Sequence, residues 1–312
     1  MRAAVFPGQG SQAVGMGREL AESFVEAREL FQEVDDALDQ HLSKLMWDGP
    51  IEDLTLTENA QPALMAHSIA VQRVLEKQGG APLSDRVAFA AGHSLGEYSA
   101  LAAMGALTVA DAARLLKTRG RAMQTATPVG EGAMAALLGL DLETAEAVAA
   151  EAAQGEVCAA ANDNAPGQVV VSGSKAAVER ACEIAKTKGA KRAMQLPVSA
   201  PFHCALMAPA AEVMAEALEA VRIAKPARPI VANVRAAAVE EPDEIRALLV
   251  EQVTGRVRWR ESVLWLAEQG VEELLEIGAG KVLAGLAKRI HPDLSARAIG
   301  APADVEAALA AL

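Results

Sequence analysis

The chain has 312 residues, of which 52% are hydrophobic and 22% are charged. It is therefore long enough for one large domain or two of ordinary size, and apolar enough to bury a core, which excludes a disordered protein. The net charge of -12 argues against a nucleic-acid partner, because such a partner requires a basic face.

Cysteine usage and hydropathy limit the cellular setting. Cys158, Cys182 and Cys204 follow no disulfide or zinc spacing, so we expect a reducing environment and no metal site. The segment before Pro7 is too short for a signal peptide, and no apolar run has the length of a membrane span. We therefore expect a cytoplasmic protein without a membrane partner.

The first 127 residues alternate strand patterns with helical patterns. Residues 7–12 form a loop whose glycines let the backbone approach a ligand closely. Strands are predicted at residues 2–6 and 86–91, and helices at residues 18–39, 60–77, 97–104 and 109–123.

Gly92-His93-Ser94-Leu95-Gly96 lies between the second strand and the helix that follows it. A G-x-S-x-G pattern at a strand-to-helix turn is typical of a nucleophile elbow, in which the turn exposes the serine hydroxyl. The helix start places free backbone N–H groups beside that serine. The alternative is a glycine-rich turn with an incidental serine, and the flanking strand and helix argue against it.

Residues 128–197 have a different character. Their predicted order of strand, helix, strand, strand, helix and strand is that of a ferredoxin-like unit. The strands are predicted at residues 133–140, 157–162, 168–172 and 192–196, and the helices at residues 142–153 and 175–188. We interpret this region as a small subdomain inserted into a larger domain.

The remaining residues return to alternating strands and helices. Such alternation predicts a mostly parallel sheet with helices on both faces. The strands are predicted at residues 229–234, 271–277 and 296–299, and the helices at residues 242–254, 260–269 and 281–290. The chain is therefore predicted to be an α/β protein with a large domain, residues 1–127 and 198–312, around the inserted subdomain.

A serine nucleophile needs a base, and the chain has five histidines. His203 lies on a loop bracketed by prolines, which could hold it rigidly, so it is a modest favourite on the residues alone. His93 adjoins the serine, but neighbouring residues at a strand end tend to point apart. His41 and His67 are interpreted as packing or surface residues, and His291 as a helix cap.

Several ordered motifs together resemble the malonyl-CoA:acyl-carrier-protein transacylases over nearly the whole length. That resemblance implies an α/β-hydrolase-like large domain with a nucleophile elbow. The motifs are Phe6-Pro7-Gly8-Gln9-Gly10-Ser11-Gln12, Gly92-His93-Ser94-Leu95-Gly96-Glu97-Tyr98, Arg119-Gly120 with Met123-Gln124, Gly132-Ala133-Met134-Ala135-Ala136, Asn164-Ala165-Pro166-Gly167-Gln168, Pro201-Phe202-His203 and Gly278-Ala279-Gly280-Lys281-Val282-Leu283.

The resemblance assigns the reacting groups. Ser94 matches the nucleophile, His203 the base, and Arg119 the residue that clamps the malonyl carboxylate. Gln9 and Leu95 match the backbone N–H donors of the oxyanion hole. On the residues alone, Arg119 would be a solvated helix-end cation and Gln9 an ordinary loop residue.

Three further positions follow from the same resemblance. Gln252 matches the residue whose backbone carbonyl orients the histidine, although by itself it would be interpreted as a surface helix residue. The segment after it, residues 254–259, departs from the Asn-Pro-Val pattern of many relatives, so we expect a different turn. Phe202 matches a position associated with malonyl selection over methylmalonyl. Asn162 matches a cleft asparagine, and a turn-forming role is equally consistent with it.

The implied activity is transfer of the malonyl group from malonyl-CoA to the phosphopantetheine thiol of acyl carrier protein. The implied route is a ping-pong mechanism through a malonyl-serine, in the cytoplasm, by a monomer without metal or other cofactor. The residues leave open whether the carrier belongs to fatty acid or polyketide synthesis.

Two rival functions share part of this pattern. A serine hydrolase would use the same elbow, but it predicts a catalytic acid and has no need of Arg119. No aspartate or glutamate lies in an obvious acid-bearing loop between Ser94 and His203. A non-catalytic carrier-protein docking subunit would have no reason to keep the serine, histidine and arginine together.

Overall fold

The computed structural model describes residues 1–311, which form ten strands in two sheets. The strands are β1 (Arg2–Phe6), β2 (Phe89–Gly92), β3 (Gly132–Leu138), β4 (Cys158–Ala165), β5 (Gln168–Ser174), β6 (Arg192–Gln195), β7 (Ile230–Ala232), β8 (Ala237–Val239), β9 (Glu273–Ile277) and β10 (Ser295–Ile299). The six-stranded sheet has the order β10-β9-β1-β2-β7-β8, and the four-stranded sheet has the order β4-β5-β3-β6.

Fourteen α-helices lie within the described residues, and none of them is both long and apolar enough to cross a membrane. They are α1 (Arg18–Ser23), α2 (Val25–Leu38), α3 (Leu42–Asp48), α4 (Ile51–Thr55), α5 (Thr57–Gly79), α6 (Gly96–Ala103), α7 (Val109–Thr125), α8 (Leu142–Ala153), α9 (Lys175–Thr187), α10 (Ala208–Glu219), α11 (Pro242–Thr254), α12 (Trp259–Glu268), α13 (Val282–Ile290) and α14 (Pro302–Leu309).

The large sheet is parallel from β10 to β7, and only the edge strand β8 runs antiparallel. Helices cover both faces, as the central strand shows. Ala4 and Phe6 pack into the core on one face, whereas Ala3 and Val5 pack into a second core on the other. Since successive side chains of a strand point to opposite faces, both faces of β1 are apolar. The predicted α/β fold with a parallel sheet is confirmed.

The small sheet is antiparallel throughout, with α8 and α9 packed on it around a separate apolar core. Its strand order is that of the predicted ferredoxin-like unit, which is likewise confirmed. We propose that residues 128–197 constitute the subdomain and that residues 1–127 and 198–312 constitute the large domain.

The small sheet is joined to the large domain along β4. Asn162 forms an isolated parallel bridge with Val257, and the Asp163 N–H donates to the Val257 carbonyl over 3.0 Å. The buried Asp163 carboxylate also pairs with Arg260 at 2.8 Å. These contacts fix the two sheets on either side of a cleft.

The structure differs from the sequence prediction at several elements. The helix predicted at residues 18–39 is two helices, because Phe24 is extended between α1 and α2 (φ -132°, ψ 126°). Helices α3, α4, α10 and α14 and strand β8 were not predicted. In α10 the buried residues Ala210, Met214 and Leu218 recur every four positions, so the helical spacing was present in the sequence. Strand β8 has three small residues, too few for a pattern.

Helices α5 and α7 pack closely, and this contact places two polar residues of the site, Gln61 and Arg119. A side chain at Gly120 would bring its Cβ within 2.5 Å of the Glu58 Cα. The close approach therefore depends on glycine at that point, although glycine lowers the stability of a helix interior.

We expect Gly120→Ala to destabilise the protein by about 1–3 kcal/mol, because the added methyl group meets backbone that has little freedom to move. Gly285, inside α13, is the matched control: nothing lies within 4 Å of a Cβ built there. Gly285→Ala should stabilise the fold by roughly 0.5–1 kcal/mol through helix propensity alone. Urea unfolding followed by circular dichroism measures both; the same sign of change in the two variants would contradict the packing argument.

Candidate active site

Ser94 occupies a sharp turn between β2 and α6. Its φ is +54°, a left-handed conformation that is strained for a residue with a side chain, by about 1–3 kcal/mol. A Cβ at Gly92 would overlap the Gly96 carbonyl, and one at Gly96 would overlap the Phe6 carbonyl oxygen. Gly92 is therefore required by the close packing of the turn against the start of α6, and Gly96 by its close packing against β1.

The turn brings Ser94 to His203, which lies 109 residues later in the chain. The Ser94 Oγ is 2.8 Å from the His203 Nε2. On the other side of the ring, Nδ1 lies 2.9 Å from the Gln252 carbonyl oxygen and 3.1 Å from that of Gly255. Two carbonyl acceptors require the proton on Nδ1, which leaves the Nε2 lone pair to accept from the serine hydroxyl.

The Gly255 carbonyl lies in the segment, residues 254–259, where the sequence departs from the pattern of many relatives. The sequence predicts one carbonyl orienting the histidine, and the structure has two. Arg256 fixes this turn by donating from Nε to the Ala160 carbonyl at 3.0 Å and by pairing with Glu146. The turn is thereby attached to the small subdomain.

The imidazole is only 4% exposed. Burial, reinforced by the positive charge of Arg119, lowers the pKa of His203 from 6.5 to about 3. The ring is therefore neutral at physiological pH, which is the state that a general base requires.

Arg119 is a buried cation, 2% exposed, on α7. Its Nη1 donates to the Gln61 Oε1 over 2.8 Å, and its Nη2 donates to the Gln252 Oε1 over 2.9 Å and to the Ser94 Oγ over 3.1 Å. Among the described residues no carboxylate lies within ion-pair distance of the guanidinium. A buried charge held only by neutral oxygens can bind a small anion beside the serine.

Gln252 is fully buried, so its interpretation as a surface helix residue is wrong. Besides its backbone carbonyl, its side chain takes part in the site. Nε2 donates to the Ser94 carbonyl at 3.1 Å and to the Glu97 Oε2 at 2.8 Å, while Oε1 accepts from Arg119. One residue thus contacts the serine, the histidine and the arginine. Arg119 is likewise buried, not a solvated helix-end cation.

A cavity of about 540 Å³ opens onto these groups between the two sheets. Both predicted oxyanion-hole residues line it, and so do Phe202, which is 9% exposed, and Asn162. Within residues 1–311 the backbone N–H groups of Gln9 and Leu95 have no protein acceptor. The residues that line the cavity include Gln9, Gln12, Ile51, Gln61, Ser94, Leu95, Arg119, Met123, Met134, Asn162, Asn164, Val170, Leu196, Val198, Phe202 and His203.

His93 lines the same cavity, but its ring has a hydrogen-bond partner other than Ser94. Its Nε2 is 2.8 Å from the Asn164 Oδ1, so it links the elbow to the small subdomain. His67 is buried, with Nε2 2.9 Å from the Gly300 carbonyl oxygen. Neither ring contacts Ser94.

Three buried polar residues of the site were not predicted: Gln61, Glu97 and Asn233. Glu97 lies inside the elbow motif, and burial raises the pKa of its carboxyl group to about 7. The only signal for Asn233 is its position directly after a predicted buried strand, where polar residues reach the end of a parallel sheet. Gln61 had no local signal.

Comparisons with known proteins agree with this geometry. The family model described as acyl transferase domain matches residues 4–294. The malonyl CoA-acyl carrier protein transacylase of Escherichia coli K12 is 49% identical over 306 residues, covering 98% of this chain and 97% of that protein. The enzyme of the same name from Bacillus subtilis is 47% identical over 309 residues, covering 99% and 96%.

Solved structures give the same result. The acyl-carrier-protein-S-malonyltransferase of Bartonella henselae superposes with a TM-score of 0.97 at 55% identity, covering 99% of this chain and 98% of that one. A malonyl-transacylase in complex with a type II PKS acyl-carrier protein superposes with a TM-score of 0.96 at 46% identity, covering 100% and 99%. The chain therefore belongs to the malonyl-CoA:acyl-carrier-protein transacylases and is an acyltransferase.

Proposed function

We propose that this acyltransferase moves the malonyl group of malonyl-CoA to the phosphopantetheine thiol of an acyl carrier protein by way of a malonyl-Ser94 ester. The observation that carries the proposal is the buried Arg119 guanidinium without a carboxylate partner, 3.1 Å from the Ser94 Oγ. A malonyl group differs from acetyl by one carboxylate, and a guanidinium can bind a carboxylate through two parallel hydrogen bonds.

In the acylation step, the Ser94 Oγ attacks the thioester carbonyl carbon while the His203 Nε2 takes the hydroxyl proton. The negative charge that develops on the carbonyl oxygen is stabilised by the free N–H groups of Gln9 and Leu95. The carbon–sulfur bond then breaks, and His203 returns the proton to the CoA sulfur. A malonyl-serine ester remains.

The second step reverses the first with a different thiol. The phosphopantetheine sulfur attacks the ester carbonyl, His203 takes the thiol proton, and the Ser94 oxygen leaves and is reprotonated by His203. Water would compete for the ester, so the cleft between the two domains must restrict its access. No step draws on a metal or other cofactor. We propose that a cytoplasmic monomer carries out this cycle.

Two cavity-lining residues are proposed to influence the choice of substrate. Phe202 precedes the catalytic histidine and lines the cavity, and we expect its ring to crowd the α-methyl group of methylmalonyl. Asn162 faces the same cavity from β4. A size difference of one methyl group is worth roughly 1–3 kcal/mol in an apolar pocket.

The structure also bears on the two rival functions. A serine hydrolase predicts a carboxylate on the His203 Nδ1, and that atom faces two carbonyl oxygens instead. A non-catalytic docking subunit would not need Ser94, His203 and Arg119 to be aligned. In the structure, the Ser94 hydroxyl is in hydrogen-bond contact with both His203 and Arg119. Both observations favour transacylation.

Ser94→Ala should abolish covalent labelling by malonyl-CoA, because alanine has no attacking oxygen. Intact mass spectrometry after mixing with malonyl-CoA measures the adduct, and adding a holo acyl carrier protein should discharge it from the wild type. Ser295→Ala, at an exposed hydroxyl outside the cavity, is the control and should label fully. A malonyl adduct that survives on the Ser94 variant would rule out this nucleophile.

Arg119→Ala should lower kcat/KM for malonyl-CoA by two orders of magnitude or more, on the order of 3–5 kcal/mol, because a buried carboxylate loses its partner. Acetyl-CoA has no such carboxylate and should be affected much less. Arg119→Lys should rescue only in part, since an ammonium group lacks the planar fork.

Arg121→Ala is the matched control on the same helix, because Arg121 is 65% exposed and its ion-pair partner within residues 1–311 is Glu58. It should leave the ratio of kcat/KM for the two donors unchanged. An equal fall for malonyl-CoA and acetyl-CoA in Arg119→Ala would show that Arg119 is structural and would remove the main support for malonyl transfer.

The lowered pKa of His203 predicts how acylation depends on pH. With a pKa of about 3, the imidazole stays unprotonated as the pH falls, and it becomes protonated only near that value. The single-turnover rate with malonyl-CoA should therefore be flat from pH 8 to about 5.5. Glu97 titrates near 7, but a protonated carboxyl group keeps an acceptor oxygen for Asn233 and Gln252.

The variant Glu97→Gln distinguishes protonation of His203 from protonation of Glu97, because glutamine keeps an acceptor oxygen but cannot ionise. If the acylation rate of Glu97→Gln still falls near pH 6.5, His203 has its ordinary pKa, contrary to the expectation. A fall in wild type that disappears in that variant would belong to Glu97.

A further inference from the structure

We propose that Asn233 is a positioning residue that holds the nucleophile elbow in its reactive conformation. The proposal rests on the assignment of Ser94 as the nucleophile. Asn233 directly follows β7, the strand next to β2, and is 1% exposed. It is not among the residues that line the cavity.

The Asn233 side chain makes two short hydrogen bonds to the elbow backbone. Its Oδ1 accepts from the Ser94 N–H over 2.7 Å, and its Nδ2 donates to the Gly92 carbonyl over 2.6 Å. These two backbone groups lie on either side of His93. A carboxamide supplies one acceptor and one donor in a plane, so it matches both groups at once.

This contact has a consequence for the strained serine. Ser94 has φ +54° without the freedom of glycine, so the surrounding structure must hold it there. The Asn233 bonds fix the backbone immediately before and at Ser94, which aims the Oγ at the His203 Nε2. Because the Ser94 N–H is used by Asn233, the next N–H along the chain, that of Leu95, is the one left free at the cavity.

Both backbone polar groups of Asn233, the N–H and the carbonyl, are also hydrogen-bonded. Its N–H donates to the Glu97 Oε2 over 2.9 Å, and its carbonyl accepts from the Arg258 N–H over 3.0 Å. The same Glu97 oxygen accepts from the Gln252 Nε2, and the Gln252 carbonyl accepts from His203. One buried network therefore connects the positions of nucleophile and base.

Asn233→Ala should slow acylation of Ser94 by malonyl-CoA by about tenfold to a hundredfold, because small displacements of a reacting group have effects of that size. The half-saturating malonyl-CoA concentration should change less than about threefold, since Arg119 makes no contact with Asn233. Rapid-quench single-turnover kinetics separates the two quantities. A fluorophosphonate probe, which reports serine reactivity without any acyl donor, should slow by a similar factor.

Asn59→Ala is the matched control. Asn59 is also a buried asparagine, 7% exposed, with hydrogen bonds to Gln40, Lys117 and the Asp53 carbonyl, all of which lie outside the elbow. It should lower the melting temperature and leave both rates within about twofold of wild type. A loss of stability alone would then not explain the result for Asn233→Ala.

Asn233→Asp gives a second readout that also serves if the alanine variant fails to fold. A carboxylate keeps the acceptor for the Ser94 N–H but turns an oxygen toward the Gly92 carbonyl, whereas a protonated carboxyl group restores the donor. Burial beside Glu97 favours the protonated form at mildly acidic pH. Acylation and probe labelling in this variant should therefore rise at least severalfold from pH 8 to 5.5, while wild type stays flat.

The proposal is overturned if Asn233→Ala folds and reacts within twofold of wild type with the probe, or if Asn233→Asp shows no recovery at low pH. Failure of the proposed function is a separate result. In that case wild type would react with the fluorophosphonate at Ser94 but form no malonyl adduct, and the effect of Asn233 on the probe would remain measurable.

Discussion

The site depends on a positive charge that is buried with no carboxylate of the described residues in ion-pair contact with it. Arg119 is 2% exposed, and removing such a charge from water is unfavourable by several kcal/mol unless it is well solvated by the protein. Here the amide oxygens of Gln61 and Gln252 accept from it, and the ring of Tyr98 lies 5.8 Å from its guanidinium carbon. Neutral partners hold the charge in place without neutralising it. The charge therefore remains available for an anion next to the serine.

The same charge affects the base. It acts with burial to lower the pKa of His203, so the imidazole stays neutral while it faces a hydroxyl and a cation. Two carbonyl oxygens on Nδ1 fix the tautomer without adding a second charge to the site.

The rest of the fold brings these groups together from distant parts of the chain. Close packing at Gly92 and Gly96 forces the turn that exposes Ser94, and close packing at Gly120 brings α7 and α5 together so that Arg119 meets Gln61. The small subdomain contributes through β4, which contacts the turn carrying the Gly255 carbonyl. A rigid attachment of the two domains is therefore part of how the histidine is oriented.

The α/β fold, the ferredoxin-like unit and the position of the elbow could all be predicted from the amino-acid sequence. These features follow from local patterns: apolar runs of strand length, helical periodicity, and glycines on either side of Ser94. Local patterns also explain the errors. Phe24 interrupts a continuous helical pattern because of its tertiary packing against the core, and β8 is too short to have a pattern of its own.

Local sequence patterns did not show that the side chains of Gln252 and Asn233 meet at Ser94; long-range folding places them there. Gln252 is 158 residues from the serine and Asn233 is 139 residues from it, and each is a single amide in an otherwise ordinary segment. An amide on a helix or after a strand has no local feature that separates a solvent-exposed position from a buried one. Whether it is surface or site depends on what the fold packs against it, because only long-range contacts supply the hydrogen-bond partners that make its burial stable.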